Sequence, residues 1–324
     1  MATELDYSFP AMGSDIRLLI GQPLAPRMPA ALEAADREKA FVLDFAQRLS
    51  RFRPDSDLSA LNASPARQVP AGDLLRLAVR AGLWAARRSE GLVDPTLLDA
   101  LRRVGYDHSL QDEIPASLAE AMASAPARWP AHPHPEAAWR RVRIDDERGL
   151  IERPPGLAID TGGTGKGLCA DMVARHLALY SRYAVDCGGD IAVGGVGAQL
   201  DPYMVEVEHP LTGAPIGSIA VTQGGVATSG LNVRIWRRAD GSFAHHLLDP
   251  STGEPVWSGL VGATALGATA LEAETLSKMA LLMGPEGARR VLAERGGVII
   301  HDDGGAEVVG IVQGSVNLLA PAGL

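Results

Sequence analysis

Glu274 and Lys278 stand one helical turn apart in GATALEAETLSKMALLMG, residues 267 to 284, where the apolar spacing predicts an amphipathic helix with both side chains on one face. A carboxylate and an ammonium so placed form an ion pair. On a solvated face such a pair contributes roughly 0.3–0.5 kcal/mol and no chemistry. In a closed site it sets a fixed positive charge where an anion can bind. Three other segments carry groups of related kinds. AIDTGGTGKGLCAD, 158 to 171, reads as an apolar strand ending at Asp160, then a glycine turn opening a helix. Backbone N–H groups and the helix dipole there favour phosphate, and Lys166 adds a point charge. DCGGDIAVGG, 186 to 195, places Asp186 and Asp190 around a glycine pair and reads by itself as a hairpin turn. HHLLDPSTGEP, 245 to 255, joins a short strand to a turn, and His245 or His246 can act as general base for a hydroxyl within hydrogen-bond reach.

Several function classes are excluded by pattern. The glycine turn is no Walker A loop, because Asp160 and Gly167 stand where that motif needs glycine and a hydroxyl residue, and it does not fit the dinucleotide fingerprint. A net charge of -9, from 30 basic and 39 acidic residues, opposes binding to nucleic acid. Cys169 and Cys187, the two cysteines, lie in no metal-ligand spacing and imply no disulfide framework. The first residues, MATELDYSFPAMGSD, lack a basic start and an apolar core, and no apolar run is long enough to span a membrane, so the expected location is cytoplasmic.

The elements that must position these groups follow from periodicity. Apolar spacing predicts helices over 30–52 and 72–88, and another from about Lys166 to Tyr180. β-like runs are LAID at 157, YAVD at 183, IAVGGV at 191, YMVEVEH at 203, IGSIAV at 216 and VRIW at 233. A terminal strand pair, VII and VVGIV, follows the long helix around Glu274. GLVDPT at 91 to 96 and GGVATSG at 224 to 230 read as turns. Residues 114–156, rich in Pro and Ala, read as a variable connection, a soft break inside one domain spanning 1–324.

Taken together and in order, FPAMGS (9–14), LSRFRPDSDLSALN (49–62), GLVDPT, AIDTGGTGKGLCAD, DCGGDIAVGG, VATSG (226–230), HHLLDPSTGEP and ALEAETLSKMALLMG (270–284) resemble the ApbE family of FAD:protein FMN transferases. The resemblance covers nearly the whole chain. It implies an α+β fold with FAD bound in a groove, and a magnesium ion assisting transfer of FMN from FAD to a Thr or Ser hydroxyl of a target protein. Met12 would contact the flavin nucleotide, and Phe52 would take the place of a stacking aromatic residue, keeping its π-face without a tyrosine hydroxyl. Leu92, Val93 and Asp94 would hold the adenosine part. Asp160 and Lys166 would flank the FAD site, Leu248 would line the pocket, and Thr228 with Ser229 would shape the adjacent wall. His246 would activate the acceptor hydroxyl, beside Asp249.

The resemblance also implies metal ligands at the Gly163 carbonyl and at the Glu274 and Lys278 positions. There the family pattern has aspartate and threonine. Glutamate can bind magnesium, but a protonated lysine cannot. Two arrangements stay open: Mg²⁺ on Gly163 and Glu274, or the Lys278 ammonium in the cation's place, neutralised by Glu274. The implied reaction releases AMP and leaves FMN esterified to the target. The alternatives are an FAD-binding protein without catalysis, and an FAD pyrophosphatase releasing FMN and AMP.

Overall fold

The computed structural model of the chain describes residues 4–110, 114–310 and 316–318. A hairpin opens it, β1 (Leu5–Ala11) and β2 (Ser14–Ile20), turned by Met12 and Gly13 at φ 53° and 68°. Two successive positive φ values match the right-handed twist of the flanking strands. Next come α1 (Ala31–Leu49), α2 (Asp57–Ala63), β3 (Gln68–Pro70), α3 (Asp73–Arg88) and α4 (Leu98–Arg103). The Pro-rich connection holds only short pieces: α5 (Leu118–Ala123), a 3-10 turn at Ala138–Arg141, β4 (Arg143–Asp145) and β5 (Leu150–Glu152).

The second half runs α6 (Gly165–His176), β6 (Tyr183–Cys187), β7 (Asp190–Gly194), α7 (Val196–Leu200), β8 (Tyr203–Glu208), β9 (Pro215–Val221), β10 (Gly224–Gly230), β11 (Ile235–Arg237), β12 (Phe243–His245), β13 (Leu260–Gly267), α8 (Ala270–Leu292), β14 (Gly297–His301), β15 (Ala306–Val309) and β16 (Val316–Leu318). Eight strands form the main sheet in the order β1-β2-β6-β7-β10-β13-β14-β15, each pair antiparallel. The fold is α+β.

Alternation along the strands sorts side chains to two faces. On β6, Val185 and Cys187 join the cluster formed with α1, α3 and α6, whereas Ala184 points into a cluster with β8 and β9. Val42, Leu75 and Ala86, before the Pro-rich stretch, share the first cluster with Val173 and Ile159, after it.

Two sequence expectations give way. LAID forms no ladder: the Asn62 side chain clamps the Ile159 peptide, accepting from its N–H and donating to its carbonyl, both at 2.8 Å, and the Asp160 N–H donates to Pro95 O. GGVATSG is no turn but β10, a central strand in which Val226 and Ala227 are fully buried. Its glycines permit close backbone approach, since a Cβ on Gly225 would stand 2.4 Å from the Thr269 and Ala270 backbone. Of the expected VVGIV strand, β15 covers Val308 and Val309, while 311 and 312 lie outside the described residues.

The long helix α8 is capped twice. Thr269 accepts from the Glu272 N–H at 3.1 Å, and Asp171 on α6 accepts from the Ala270 and Leu271 N–H groups at 2.8 and 3.0 Å. The helical path breaks at Gly284 (φ 69°) ahead of Pro285, so the expected end at 284 is a kink rather than a terminus. No helix among the described residues is long and apolar enough to cross a membrane.

Candidate active site between the glycine turn and helix α8

Lys166 occupies the first turn of α6, where the glycine turn 161–164 delivers it towards the sheet. Its ammonium lies 3.0 Å from Asp190 Oδ2 and donates to the Gly188 carbonyl at 2.9 Å. Two segments that read separately in the sequence are therefore one site. Gly188 and Gly189 make the β6–β7 turn at φ 63° and 89°, and Asp186 Oδ1 accepts from the Gly189 N–H at 2.7 Å. The β1–β2 turn abuts it: the Gly188 N–H donates to Asp15 O, and a Cβ on Gly188 would stand 2.4 Å from Ser14 Cβ. Met12 belongs to that β1–β2 turn.

Glu274 is fully buried on α8 and engages both carboxylate oxygens. Oε1 pairs with Lys278 Nζ at 2.9 Å, and Oε2 accepts from the Gly167 N–H at 3.0 Å. The Lys278 side chain is 13% exposed, which rules out a solvated pair on an outer helix face. Burial pushes the Glu274 carboxyl up to about 7, against the pull of Lys278 and with a further push from Asp190. Burial works against the Lys166 ammonium, but Asp190 and Glu274 outweigh it and hold its pKa above the ordinary lysine range. The centre is thus two interleaved acid–base pairs.

The close approach of α6 to α8 requires Gly167. A Cβ there would stand 2.8 Å from both Ala270 O and Glu274 Oε2. Gly167→Ala is expected to lower stability by about 1–3 kcal/mol through overpacking, outweighing the ~1 kcal/mol that alanine gains in helix propensity. Chemical denaturation measures this, and an unchanged or raised midpoint would refute the close contact.

The two histidines separate cleanly. His245 is fully buried, its Nε2 donating to Val256 O at 2.9 Å and its Nδ1 accepting from the Leu247 N–H, with Trp257 edge-on at 5.0 Å. Burial lowers its pKa to about 4, so it is a neutral structural group. His246 is half-buried. Its backbone N–H donates to the Arg234 carbonyl at 3.3 Å, and its Nδ1 faces the same oxygen at 3.4 Å. Because a carbonyl only accepts, Nδ1 carries the proton and Nε2 keeps a lone pair. Burial, then Arg234, His245 and Lys278, hold its pKa well below the ordinary value.

Asp249 does not orient His246. Its Oδ1 accepts from the Ser251 N–H and hydroxyl at 2.9 and 2.8 Å and from the His132 N–H at 3.0 Å, which builds the turn after Leu248. The group facing His246 Nδ1 is the Arg234 carbonyl.

Phe52 packs against Tyr106 at 5.5 Å, Tyr106 against Trp236 at 5.4 Å, and buried Leu248 joins the same cluster. The Arg51 guanidinium stacks 4.2 Å from both the Phe52 and Tyr106 rings, and its Nε lies 3.8 Å from Asp160 Oδ2. Leu92 and Val93 are buried in the cluster that includes Leu276 and Met279 of α8. Asp94 accepts from the Thr96 N–H and hydroxyl, and burial raises its pKa. Thr228 on β10 donates its N–H to Gly189 O and shares a hydroxyl bond with Thr264 at 2.9 Å. Ser229 bonds to the Ser277 hydroxyl at 2.8 Å, and this in turn bonds to Glu274 O. Arg51 lies inside the LSRFRPDSDLSALN motif without being singled out, and Tyr106 and Arg234 carry no motif signal of their own. The one cue to Arg234 is its place in the β-like run VRIW, whose structured part, β11, pairs with the strand ending at His245.

These donors do not fit magnesium. Of the implied ligands, Glu274 has each oxygen taken by an N–H donor, Lys278 presents an ammonium, and Gly163 alone offers a carbonyl. Magnesium at roughly 2.1 Å from Glu274 would stand beside the Lys278 ammonium, two cations side by side on one carboxylate.

Among known proteins, the model of the ApbE family matches residues 12–300. The chain is 28% identical over 283 residues to a Klebsiella pneumoniae protein named FAD:protein FMN transferase, covering 85% of this chain and 75% of the relative. It is 27% identical over 256 residues to the Escherichia coli K12 protein of the same name, covering 77% and 71%. The crystal structure of the Thermotoga maritima ApbE protein superposes with a TM-score of 0.75 at 22% identity, over 95% of this chain and 97% of that one. The Vibrio cholerae flavin transferase ApbE gives 0.73 at 21% identity, over 95% and 98%. With the family pattern matched from the first hairpin to β14, this chain belongs to the ApbE family.

Proposed function

We propose that the chain transfers the FMN part of FAD to a Thr or Ser hydroxyl of a target protein and releases AMP, as the names of its relatives describe for them. The observation that carries this reading is the meeting at Glu274 of Lys166 and Lys278, with Lys278 and Arg234 both acting on His246, from segments far apart in the chain. Phosphoryl transfer asks little covalent chemistry of a protein. It asks for position and for positive charge where the transition state gathers negative charge.

The proton on the acceptor hydroxyl passes to His246 Nε2 as its oxygen attacks the FMN-side phosphorus. The new O–P bond forms as the bond to the bridging oxygen breaks, and that oxygen leaves on AMP. Lys166 and the glycine-turn amides face the diphosphate, while Phe52 and Leu248 offer the apolar wall for the ring system. Lys278 contributes fixed charge in place of a metal. Glu274 keeps that ammonium in position instead of acting as a ligand.

The test is intact-mass analysis of a threonine- or serine-bearing acceptor domain incubated with FAD and the enzyme. The expected result is a mass gain of FMN less one water, with AMP released in equal amount. AMP without adduct would favour hydrolysis, and intact FAD would favour simple binding. Either outcome with a cognate acceptor overturns the proposal. In the same assay, EDTA is expected to leave the initial rate within about twofold, since no transition-state charge is assigned to a metal. Abolition by EDTA with recovery on added magnesium would refute the metal-free arrangement.

A further inference from the structure

Arg234 is the cation of this site that lacks an acid. Lys166 pairs with Asp190, and Lys278 pairs with Glu274. The Arg234 guanidinium donates to the Tyr106 phenol oxygen, and no carboxylate pairs with it among the described residues. It still sits close enough to disfavour positive charge on both Lys166 and His246. Like charges gathered in a partly buried site repel unless an anion lies between them. Lys166 and Lys278 each have a carboxylate in contact, and the cation left without one is the residue best shaped for a phosphate. The planar guanidinium presents paired donors that match two phosphate oxygens.

The fold sets where that donor stands relative to the base. β11 and β12 pair antiparallel with Ile235 opposite His245, so the next position outward sets Arg234 opposite His246. The bond from the His246 N–H to the Arg234 carbonyl confirms the pairing. Directly opposed residues on an antiparallel ribbon hold their Cβ atoms roughly 4.5–5.5 Å apart. A hydroxyl oxygen beside the imidazole and a phosphorus whose outer oxygens lie against the guanidinium are then neighbours, which is the relation that in-line attack requires. Tyr106, packed between Phe52 and Trp236, anchors the guanidinium from the aromatic side.

We propose that Arg234 is a catalytic residue of the transfer, holding the outer oxygens of the attacked phosphate while His246, its cross-strand neighbour, takes the proton from the acceptor hydroxyl. The proposal rests on the reading of the chain as an FMN transferase. It assigns the guanidinium a second effect on the base. The charged or titratable groups facing His246 are Arg234, His245 and Lys278, and removing the Arg234 charge lets the His246 pKa rise towards its ordinary value. The acid limb of the rate profile then moves to higher pH, which a purely structural residue would not cause.

The experiment compares wild type, Arg234→Lys and Arg234→Met with FAD and an acceptor domain, reading kcat, KM for FAD and the pH profile. Arg234→Met is expected to lower kcat on the order of 100- to 1,000-fold and to shift the acid limb upward. Arg234→Lys is expected to lose a factor on the order of 10 to 100, because an ammonium cannot make the two-pronged contact, while keeping the wild-type acid limb. Wild-type kcat in Arg234→Lys, or a folded Arg234→Met with unaltered kcat and pH profile, overturns the assignment. If Arg234→Met fails to fold, the kcat of Arg234→Lys decides alone. Absence of adduct with the wild-type enzyme would instead count against FMN transfer itself.

Discussion

His246→Ala is expected to lower the rate of FMN transfer about 100- to 10,000-fold, the usual contribution of a positioned general base, while FAD still binds. The expectation follows from the tautomer. The Arg234 carbonyl facing Nδ1 leaves Nε2 as the proton acceptor, and the low pKa keeps the ring neutral through the physiological range. His245→Ala should behave differently. It removes a buried group bonded to Val256 O and packed on Trp257, so the loss appears in stability before it appears in kcat. Stopped-time adduct assays with parallel flavin-fluorescence titration separate the two. Equal kcat in His246→Ala and wild type would remove His246 from the chemistry.

Lys278→Met is expected to destabilise the protein by about 1–3 kcal/mol near neutral pH, since the buried Glu274 loses its partner and must take up a proton. The sign of the pH dependence checks the cause. The folded-state pKa of Glu274 is raised, to about 7 from the ordinary 4.5, so the folded protein holds this proton more tightly than the unfolded chain does. Its contribution therefore favours folding least at high pH: stability falls as pH rises from about 4.5 through about 7, then levels. Without Lys278 the carboxyl pKa rises further, and the decline continues to higher pH. Thermal melts of wild type, Lys278→Met and Glu274→Gln across pH 5 to about 9 read this directly. Glu274→Gln should flatten the slope, and an unchanged slope in that variant would show that Glu274 is not its source.

The relation between sequence and site is clearest where contacts are local. Glu274 and Lys278 share a helix, so their one-turn spacing already placed them together, and only their burial had to come from the structure. The Gly188–Gly189 turn was legible because consecutive glycines favour a hairpin with two positive φ values. By contrast, β10 was hidden by glycines that read as turn formers but serve close packing on α8. LAID has strand composition, yet Asn62, nearly a hundred residues earlier, holds its peptide in place of a ladder. Arg234 was invisible for a related reason: its link to His246 is a pairing across a ribbon, and its missing carboxylate can be recognised only once the neighbours of Lys166 and Lys278 are known. Asp249 stands three residues from His246 in the chain, yet its Oδ1 bonds the Ser251 N–H and hydroxyl of its own turn.

The central claim is that side-chain cations, with Lys278 in the place where the family pattern puts a metal ligand, face the flavin diphosphate. A crystal structure with FAD grown in manganese, with anomalous diffraction collected at the metal edge, tests it most directly. The account predicts diphosphate oxygens against Lys166 and Arg234, the Lys278–Glu274 pair intact, and no anomalous peak at Glu274. A manganese ion bridging Glu274 and the diphosphate, with the Lys278 ammonium displaced, would contradict it.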